Sequence, residues 1–186
     1  MKKVNGVTKD EAMEIAFQAG YEGEQQRMCC SQECFHGISK ALGIKNALIF
    51  RCLSAFEGGT AITTEGTCGA VAGAMAAFSY FFGRTYEQWE EKKMVCDSSF
   101  MGQELISRFK ENHGSIICGE ILEKKMGRRF NFMNEKELKA FEEMGGHESV
   151  CPAIVGLSAA WAVDLLWDKI PADIDMAGIP SVASKL

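Results

Sequence analysis

The sequence contains little proline and histidine, with 3 of each among 186 residues. A chain so poor in proline is unlike disordered regulators and linker arrays, which are enriched in it. Hydrophobic residues make up 47% and charged residues 24%, which is typical of a globular protein with an apolar core. At this length, folding buries roughly 70% of the surface that the unfolded chain exposes, so the core needs no covalent cross-links.

Signals for export and for membrane insertion are also lacking. The N-terminus runs from Met1 through two lysines to Glu11 without the apolar segment and cleavage site of a secretory signal. The most apolar run, 68–82, spans 15 residues, whereas an α-helix needs roughly 20 to cross a bilayer. We therefore expect a cytoplasmic protein without a membrane span.

Neither the charge nor the loops indicate a nucleic acid or a nucleotide as ligand. The formal net charge is −5, and the basic segment 124–129 adjoins Glu120 and Glu123, as in a solvated helix end. The glycine-rich segment 57–73 lacks both the Gly-Lys-Ser/Thr of a P-loop and the GxGxxG of a dinucleotide-binding fold. These patterns predict that nucleic acid is not a partner.

Capping and turn patterns divide the chain into helices. Thr8 and Glu11 form a capping box, and apolar residues follow it at helical spacing. Glycines mark most of the expected helix ends, and residues 130–132 are the only candidate strand. The predicted helices are 9–20 (ended by Gly20 and Gly23), 31–42, 46–56, 68–83, 86–111 with a kink near 97–99, 118–125, 135–144 and 149–170.

These patterns predict an all-α fold, a compact bundle of about seven or eight helices without internal repeats. We expect a single helical domain over 1–186. Within it, 1–28 is predicted to be an N-terminal helical extension, 29–170 the core and 171–186 a C-terminal tail.

Cysteine, in contrast, is abundant: the sequence contains 8. In a reducing compartment, metal binding or redox chemistry is a more common use of cysteine than disulfide formation. Four of them, Cys30, Cys68, Cys118 and Cys151, lie at predicted helix starts. The unpaired N–H groups and the partial positive charge of a helix N-terminus stabilise a thiolate, so we expect lowered thiol pKa values there. Such cysteines are candidate metal ligands or redox nucleophiles.

The spacing of these four cysteines excludes the common small modules. No CxxC pair is present, which excludes zinc ribbons, RING-like knuckles and thioredoxin-type motifs. The four are separated by 37, 49 and 32 residues, so only the folded bundle can bring them together. Spacing alone leaves open the alternative of four unrelated buried thiols.

The remaining cysteines and the histidines carry weaker signals. Cys52 and Cys96 fall inside predicted helices, where a free cysteine is usually a small core residue, and Cys29 points about 100° away from Cys30. Cys34 lies one turn after Cys30, so it is a possible extra ligand, a resolving thiol or a packing residue. His147, four residues before Cys151, is another possible ligand, and His113, five residues before Cys118, is a possible ligand or proton donor.

The glycines around Cys68 suggest a close approach of the backbone. Gly66, Gly69 and Gly73 are candidate cofactor-binding positions, because glycine lets backbone approach a cofactor; equally, it lets helices pack closely. Backbone N–H groups in the preceding loop, 57–67, are expected to donate hydrogen bonds to cluster sulfurs or to a thiolate.

Residues 68–73 read Cys-Gly-Ala-Val-Ala-Gly, a full match to CGAxxG, and Gly66-Thr67 precede them. With Cys30 upstream and Cys118 and Cys151 downstream, the pattern resembles the C_GCAxxG_C_C family of redox-active proteins over about 30–166. The resemblance implies that these are the family's four cysteines. A related module in split-Soret cytochromes accompanies a non-haem iron–sulfur centre, which implies a cluster here. The chain departs from the family in having residues 61–65 where relatives are richer in glycine, and in its four additional cysteines.

Our leading hypothesis is that the four cysteines bind an iron–sulfur cluster or act as redox thiols. The activity would be electron transfer or thiol–disulfide exchange with a redox partner protein. The alternative is a structural zinc-binding or cofactor-free helical scaffold that binds a partner protein. A weaker third hypothesis is a small-molecule binding module with loop 57–67 as one wall. The final Ser184-Lys185-Leu186 matches a peroxisomal address, which we interpret as coincidence.

Overall fold

The computed structural model describes residues 2–172, and these residues form nine α-helices. In this part of the chain the only β pairings are two isolated bridges, Val4 with Val7 and Thr67 with Ile117. The predicted all-α fold is confirmed. The helices are α1 Lys9–Arg27, α2 Cys30–Leu42, α3 Ala47–Cys52, α4 Gly69–Phe82, α5 Tyr86–Glu90, α6 Asp97–His113, α7 Cys118–Met126, α8 Glu135–Glu143 and α9 Cys151–Trp167; a 3-10 turn, Leu53–Phe56, follows α3, and a π turn, Gly146–Val150, precedes α9.

The main core lies where α1, α2, α4 and α9 pack together. Small residues allow the close approach: a Cβ atom at Gly37 of α2 would lie 2.5 Å from the Ala16 carbonyl oxygen of α1. Fully buried Phe35 and Phe78 fill the space between α2 and α4, and each such side chain stabilises the fold by roughly 1.5–3 kcal/mol. A second, smaller cluster joins α7 and α8 through Leu122 and Phe141.

Helix α1 is longer than the sequence predicts. It continues through Gly20 and Gly23 to Arg27, and both glycines are buried. A Cβ atom at Gly20 would lie 3.4 Å from Val155 Cγ1 of α9, and one at Gly23 would overlap the Glu33 carboxylate of α2. The prediction that these glycines end the helix is wrong, because they serve close packing against neighbouring helices.

The predicted helix 86–111 is two helices, α5 and α6. A capping box at Thr85 starts α5, and Lys92 has φ +56°, which is incompatible with a continuing right-handed helix. Cys52 lies in a helix as predicted, because it is the last residue of α3, whereas Cys96 is the N-cap of α6. Cys52 is exposed and Cys96 half-buried, so the prediction that both are core residues is wrong. Residues 130–132 form no strand; Phe130 is buried beside Phe141.

The segment Gly146–Trp167, which comprises the π turn and α9, is a candidate membrane span that the sequence analysis did not identify. Its 22 residues, with a mean hydropathy of 1.7, are long and apolar enough to cross a membrane by length and composition. However, 56% of its most apolar window is buried inside the protein. The core helix of a soluble protein passes the same test, so this segment is only weak support for a membrane span.

The C-terminal Ser184-Lys185-Leu186 lies outside the described residues, as does the predicted tail beyond residue 172. The division into extension, core and tail stays a prediction.

A buried histidine ends α6. His113 is 2% exposed, and its ring packs between Phe109 and Trp161, with centroid distances of 5.0 and 5.8 Å. Neither ring nitrogen has a hydrogen-bond partner among the described residues. Burial, and secondarily the positive charges of Lys125 and Lys124, lower the pKa of His113 to about 4. His113 therefore packs as a neutral aromatic group.

The lowered pKa of His113 predicts that acid destabilises the protein. Below pH 6.5 the unfolded chain takes up this proton first, so the stability present above that pH is lost as the pH falls towards 4. We expect a loss of roughly 2 kcal/mol, less than the full shift because solvent screens the two lysines. Urea unfolding at pH 7, 5.5 and 4 measures it.

The variant His113→Leu should lose less stability than the wild type over this pH range. His36→Gln removes a half-buried histidine whose pKa burial also lowers, and it should reduce the pH dependence less than His113→Leu does. Parallel curves for wild type and His113→Leu would contradict the assignment.

Candidate functional site

The four cysteines that were predicted to lie at helix starts do so in the structure, and all four line one cavity. Cys30, Cys118 and Cys151 are the first residues of α2, α7 and α9, and Cys68 is the N-cap of α4. The cavity they line has a volume of about 260 Å³. Cys68 and Cys118 are buried, and Cys30 and Cys151 are half-buried. The fold thus brings together four thiols that are far apart in sequence.

Backbone hydrogen bonds hold two of these helix starts side by side. The Cys68 N–H donates to the Ile116 carbonyl at 2.7 Å, and the Cys118 N–H donates to the Gly66 carbonyl at 3.0 Å. The Gly119 N–H donates to the Thr64 carbonyl at 2.7 Å. Because these bonds pair loop 57–67 with the start of α7, Cys68 and Cys118 are placed by backbone geometry.

The loop 57–67 has an unusual left-handed backbone. Besides Gly58 and Gly59, the residues Thr60, Ala61, Ile62 and Thr64 have φ between +51° and +65°. For non-glycine residues this conformation costs roughly 1–2 kcal/mol each. Such strain persists where the surrounding structure enforces it, often beside a functional site. Glycine would adopt the left-handed conformation of residues 61, 62 and 64 without this cost.

Two glycines leave room for the cysteines. A Cβ atom at Gly69 would overlap the Cys30 sulfur, and one at Gly59 would lie 2.6 Å from Cys118 Cβ. The other predicted cofactor positions, Gly66 and Gly73, face backbone instead: their Cβ atoms would meet the carbonyl oxygens of Gly59 and Ser31. Of the three glycines predicted to bind a cofactor, Gly69 is the one that meets a cavity thiol.

Burial raises the pKa values of the cavity thiols. It raises those of Cys68 and Cys118 to about 12, and those of Cys30 and Cys151 well above the ordinary value. Negative charge on neighbouring thiolates adds to the effect; Cys68 and Cys151, for example, both act on Cys30. The expectation of lowered pKa values is therefore wrong for these four thiols.

The reason is the relative size of the two effects. A helix N-terminus stabilises a negative charge by about 0.3–1 kcal/mol, whereas the shift of the Cys68 pKa from 9.0 to about 12 corresponds to about 4 kcal/mol. Backbone N–H groups lower the thiol pKa values and so act against the effect of burial. Gly58 donates to the Cys30 sulfur, and Ala70 and Val71 donate to the Cys68 sulfur. Gly58 is a loop donor of the kind predicted.

Sequence reasoning missed several side chains of the cavity, of which Glu24 and Cys29 are the most buried acid and a further thiol. Glu24 of α1 lines it and is 2% exposed. Its sequence signal is its position four residues after Gly20 and eight after Ala16, on the face that packs in the core. Cys29 lines the cavity too, because its φ of +72° departs from the helix that was assumed to turn it away from Cys30.

The two possible extra ligands differ in position. His147 lines the cavity, and its Nδ1 atom lies 2.6 Å from a Glu142 carboxylate oxygen. Cys34 is fully buried in the main core instead, and its sulfur lies 3.6 Å from the Ser158 hydroxyl. His113 packs at the end of α6, between Phe109 and Trp161. Among these three side chains, only His147 lines the cavity.

The donors are not arranged for a single metal ion. Among residues 2–172, no group of three or more His, Cys, Asp or Glu side chains is placed to hold one ion. A zinc ion draws its sulfur ligands to about 2.3 Å, so its thiols must lie close together. The four thiols line a cavity of about 260 Å³, which has room for a group of several atoms.

Comparison with known proteins identifies the family of this sequence pattern. The family model described as "Putative redox-active protein (C_GCAxxG_C_C)" matches residues 28–165, a range that includes all four cavity cysteines. No curated protein and no solved structure matches the chain at a significant level.

Glycine at position 59 is predicted to be required for the placement of Cys118. Gly59→Ala should lower the free energy of unfolding by roughly 2–4 kcal/mol, because it adds both left-handed strain and a steric overlap. Gly127→Ala is the matched control: its φ is +79° but nothing lies within 4 Å of the added Cβ atom. It should cost only the strain, roughly 1–2 kcal/mol. Equal costs in urea unfolding would refute the steric explanation.

The raised pKa values predict slow alkylation of the cavity thiols in metal-free, reduced protein. At pH 7.5, iodoacetamide should modify exposed Cys52 first and Cys30, Cys68, Cys118 and Cys151 roughly 100-fold more slowly, because the thiolate is the reactive form. Mass spectrometry of peptides measures each rate. In urea all the cysteines should react at similar rates; cavity thiols that react as fast as Cys52 in the folded protein would contradict the prediction.

Proposed function

The chain belongs to the C_GCAxxG_C_C family of redox-active proteins, and from this we propose that Cys30, Cys68, Cys118 and Cys151 bind an iron–sulfur cluster for electron transfer. The observation that carries the proposal is the convergence of these four thiols on one cavity. Thiolates are the protein ligands that iron–sulfur clusters use, commonly four to a cluster.

The size of the cavity supports a cluster over a single ion. Its volume of about 260 Å³ leaves room for several atoms, and Gly59 and Gly69 keep Cβ atoms away from Cys118 and Cys30.

The protonation of the thiols supports a cluster over free redox thiols. Thiol–disulfide exchange requires a thiolate, and a pKa of about 12 for Cys68 and Cys118 leaves few thiolates at neutral pH. A bound metal reverses this situation, because its positive charge removes the proton from a coordinating thiol. Burial thus disfavours the thiols as nucleophiles without preventing them from serving as ligands.

The walls of the cavity suit an electron carrier. Apolar Phe132, Ile154 and Val155 line the cavity, and the Gly58 N–H donates to the Cys30 sulfur. Burial and hydrogen bonds to sulfur are two of the factors that set the reduction potential of a cluster. When bound, the cluster would supply one-electron redox chemistry. Met28, which lines the cavity and is 47% exposed, marks the side from which a redox partner would approach.

Serine variants test the proposal. Protein purified without oxygen should be coloured and contain iron and sulfide, and each of Cys30→Ser, Cys68→Ser, Cys118→Ser and Cys151→Ser should lose most of both, because serine oxygen is a poor replacement for a cluster thiolate. The matched controls are Cys34→Ser, buried outside the cavity, and Cys52→Ser, exposed; both should retain iron.

Other outcomes would identify the alternatives. Zinc in place of iron and sulfide would support a structural metal site, and metal-free protein with reversible disulfides would support redox thiols. Colourless protein with neither would support the cofactor-free scaffold.

A further inference from the structure

The cavity contains a carboxyl group to which the proposed function assigns no role. Glu24 lines the cavity beside the four thiols, is 2% exposed, and its Oε2 atom has no hydrogen-bond partner among the described residues. A buried carboxylate without a partner is strongly destabilising, and buried acids in proteins are therefore usually paired or bound to a metal.

The charged groups that act on Glu24 do not neutralise the negative charge of its carboxylate. They are Glu33 and Glu57, both acidic, and together with burial they raise the pKa of Glu24 to about 8. Arg27, the nearest candidate cation in sequence, donates to both oxygens of Glu33 at 3.0 and 2.9 Å. Glu24 thus faces negative charge in its own surroundings.

Glu24 is also within electrostatic reach of every thiol of the site. Its negative charge raises the pKa values of Cys30, Cys68, Cys118 and Cys151 alike. The cavity therefore holds Glu24 and these four thiols, and Cys29, Glu57 and Glu142 line it as well. A cation in the cavity would stabilise the ionised forms of Glu24 and the four thiols together.

Two other glutamates line the cavity, Glu142 of α8 and Glu57 of loop 57–67, and both differ from Glu24. Glu142 lies 2.6 Å from His147 Nδ1, so its carboxylate has a partner within the protein. The third, Glu57, is only half-buried, so Glu24 is the cavity glutamate that is both buried and has an unpartnered carboxylate oxygen.

We propose that Glu24 is a fifth protein ligand of the metal group in the cavity, supplying a carboxylate oxygen beside the four thiolates. The proposal rests on the proposed function. Carboxylate oxygen is a harder donor than thiolate and binds iron in other protein sites. The iron that faces Glu24 would therefore differ from those bound by sulfur alone, and the group would have an asymmetric donor set.

The test compares Glu24→Gln and Glu24→Met with the wild type, each as metal-free and as iron- and sulfide-loaded protein. Both variants should release iron to a chelator about 10-fold or more faster than the wild type, the order of loss expected for groups that support a metal site. The electron paramagnetic resonance spectrum of the reduced, loaded protein should change as well. Glu22→Gln, at an exposed glutamate of the same helix outside the cavity, is the control and should release iron at nearly the wild-type rate.

Metal-free protein distinguishes a ligand from a structural residue. Replacing a buried, unpaired acid by an apolar side chain of similar size is often neutral or stabilising, so the midpoint of thermal unfolding of metal-free Glu24→Met should stay unchanged or rise. A fall in this midpoint in both variants, parallel to the loss of iron, would make Glu24 a structural residue and overturn the proposal.

Two further outcomes separate this proposal from the proposed function. Unchanged iron release and an unchanged spectrum in both Glu24 variants would refute the fifth ligand and leave the four-thiolate cluster standing. A wild-type protein that takes up no iron and sulfide would refute both.

Discussion

The backbone hydrogen bonds between loop 57–67 and the start of α7 determine where two of the four cavity thiols lie. These bonds run from backbone to backbone and join the starts of α4 and α7, which are about fifty residues apart in sequence. The loop makes these bonds in a left-handed conformation, which non-glycine residues adopt at a cost. The packing of α1, α2, α4 and α9 then sets the starts of α2 and α9 opposite this pair. The cavity is thus a consequence of helix packing combined with one strained loop.

Desolvation dominates the electrostatics of this cavity. Four thiols and Glu24 share a small, largely apolar space, and burial raises the pKa of each. N–H groups of Gly58, Ala70 and Val71 oppose this effect without overcoming it. In the metal-free protein such an arrangement favours neutral, protonated donors, which are poor nucleophiles. The same arrangement favours a positively charged group, because one cation relieves the mutual repulsion of several ionised donors.

Much of the architecture was predictable from the sequence. The capping box at Thr8, the glycine after α2 and the position of all four cysteines at helix starts are local features, and local hydrogen bonding decides them. The family pattern is likewise a linear one, since the CGAxxG motif and its outlying cysteines can be read without coordinates. The errors occurred where packing overrides local preference: Gly20 and Gly23 continue α1 because α9 and Glu33 lie against them.

The sequence by itself determined the helices, the family and the four cysteines that begin helices, because capping, periodicity and motif spacing are properties of neighbouring residues. Only the tertiary structure decided that these thiols share one cavity, that Cys29 and Glu24 face it, and that Cys34 lies in the core instead. Tertiary structure also reversed the expected direction of the thiol pKa shifts, since the dipole of a helix start is local whereas burial depends on all the elements that surround a side chain.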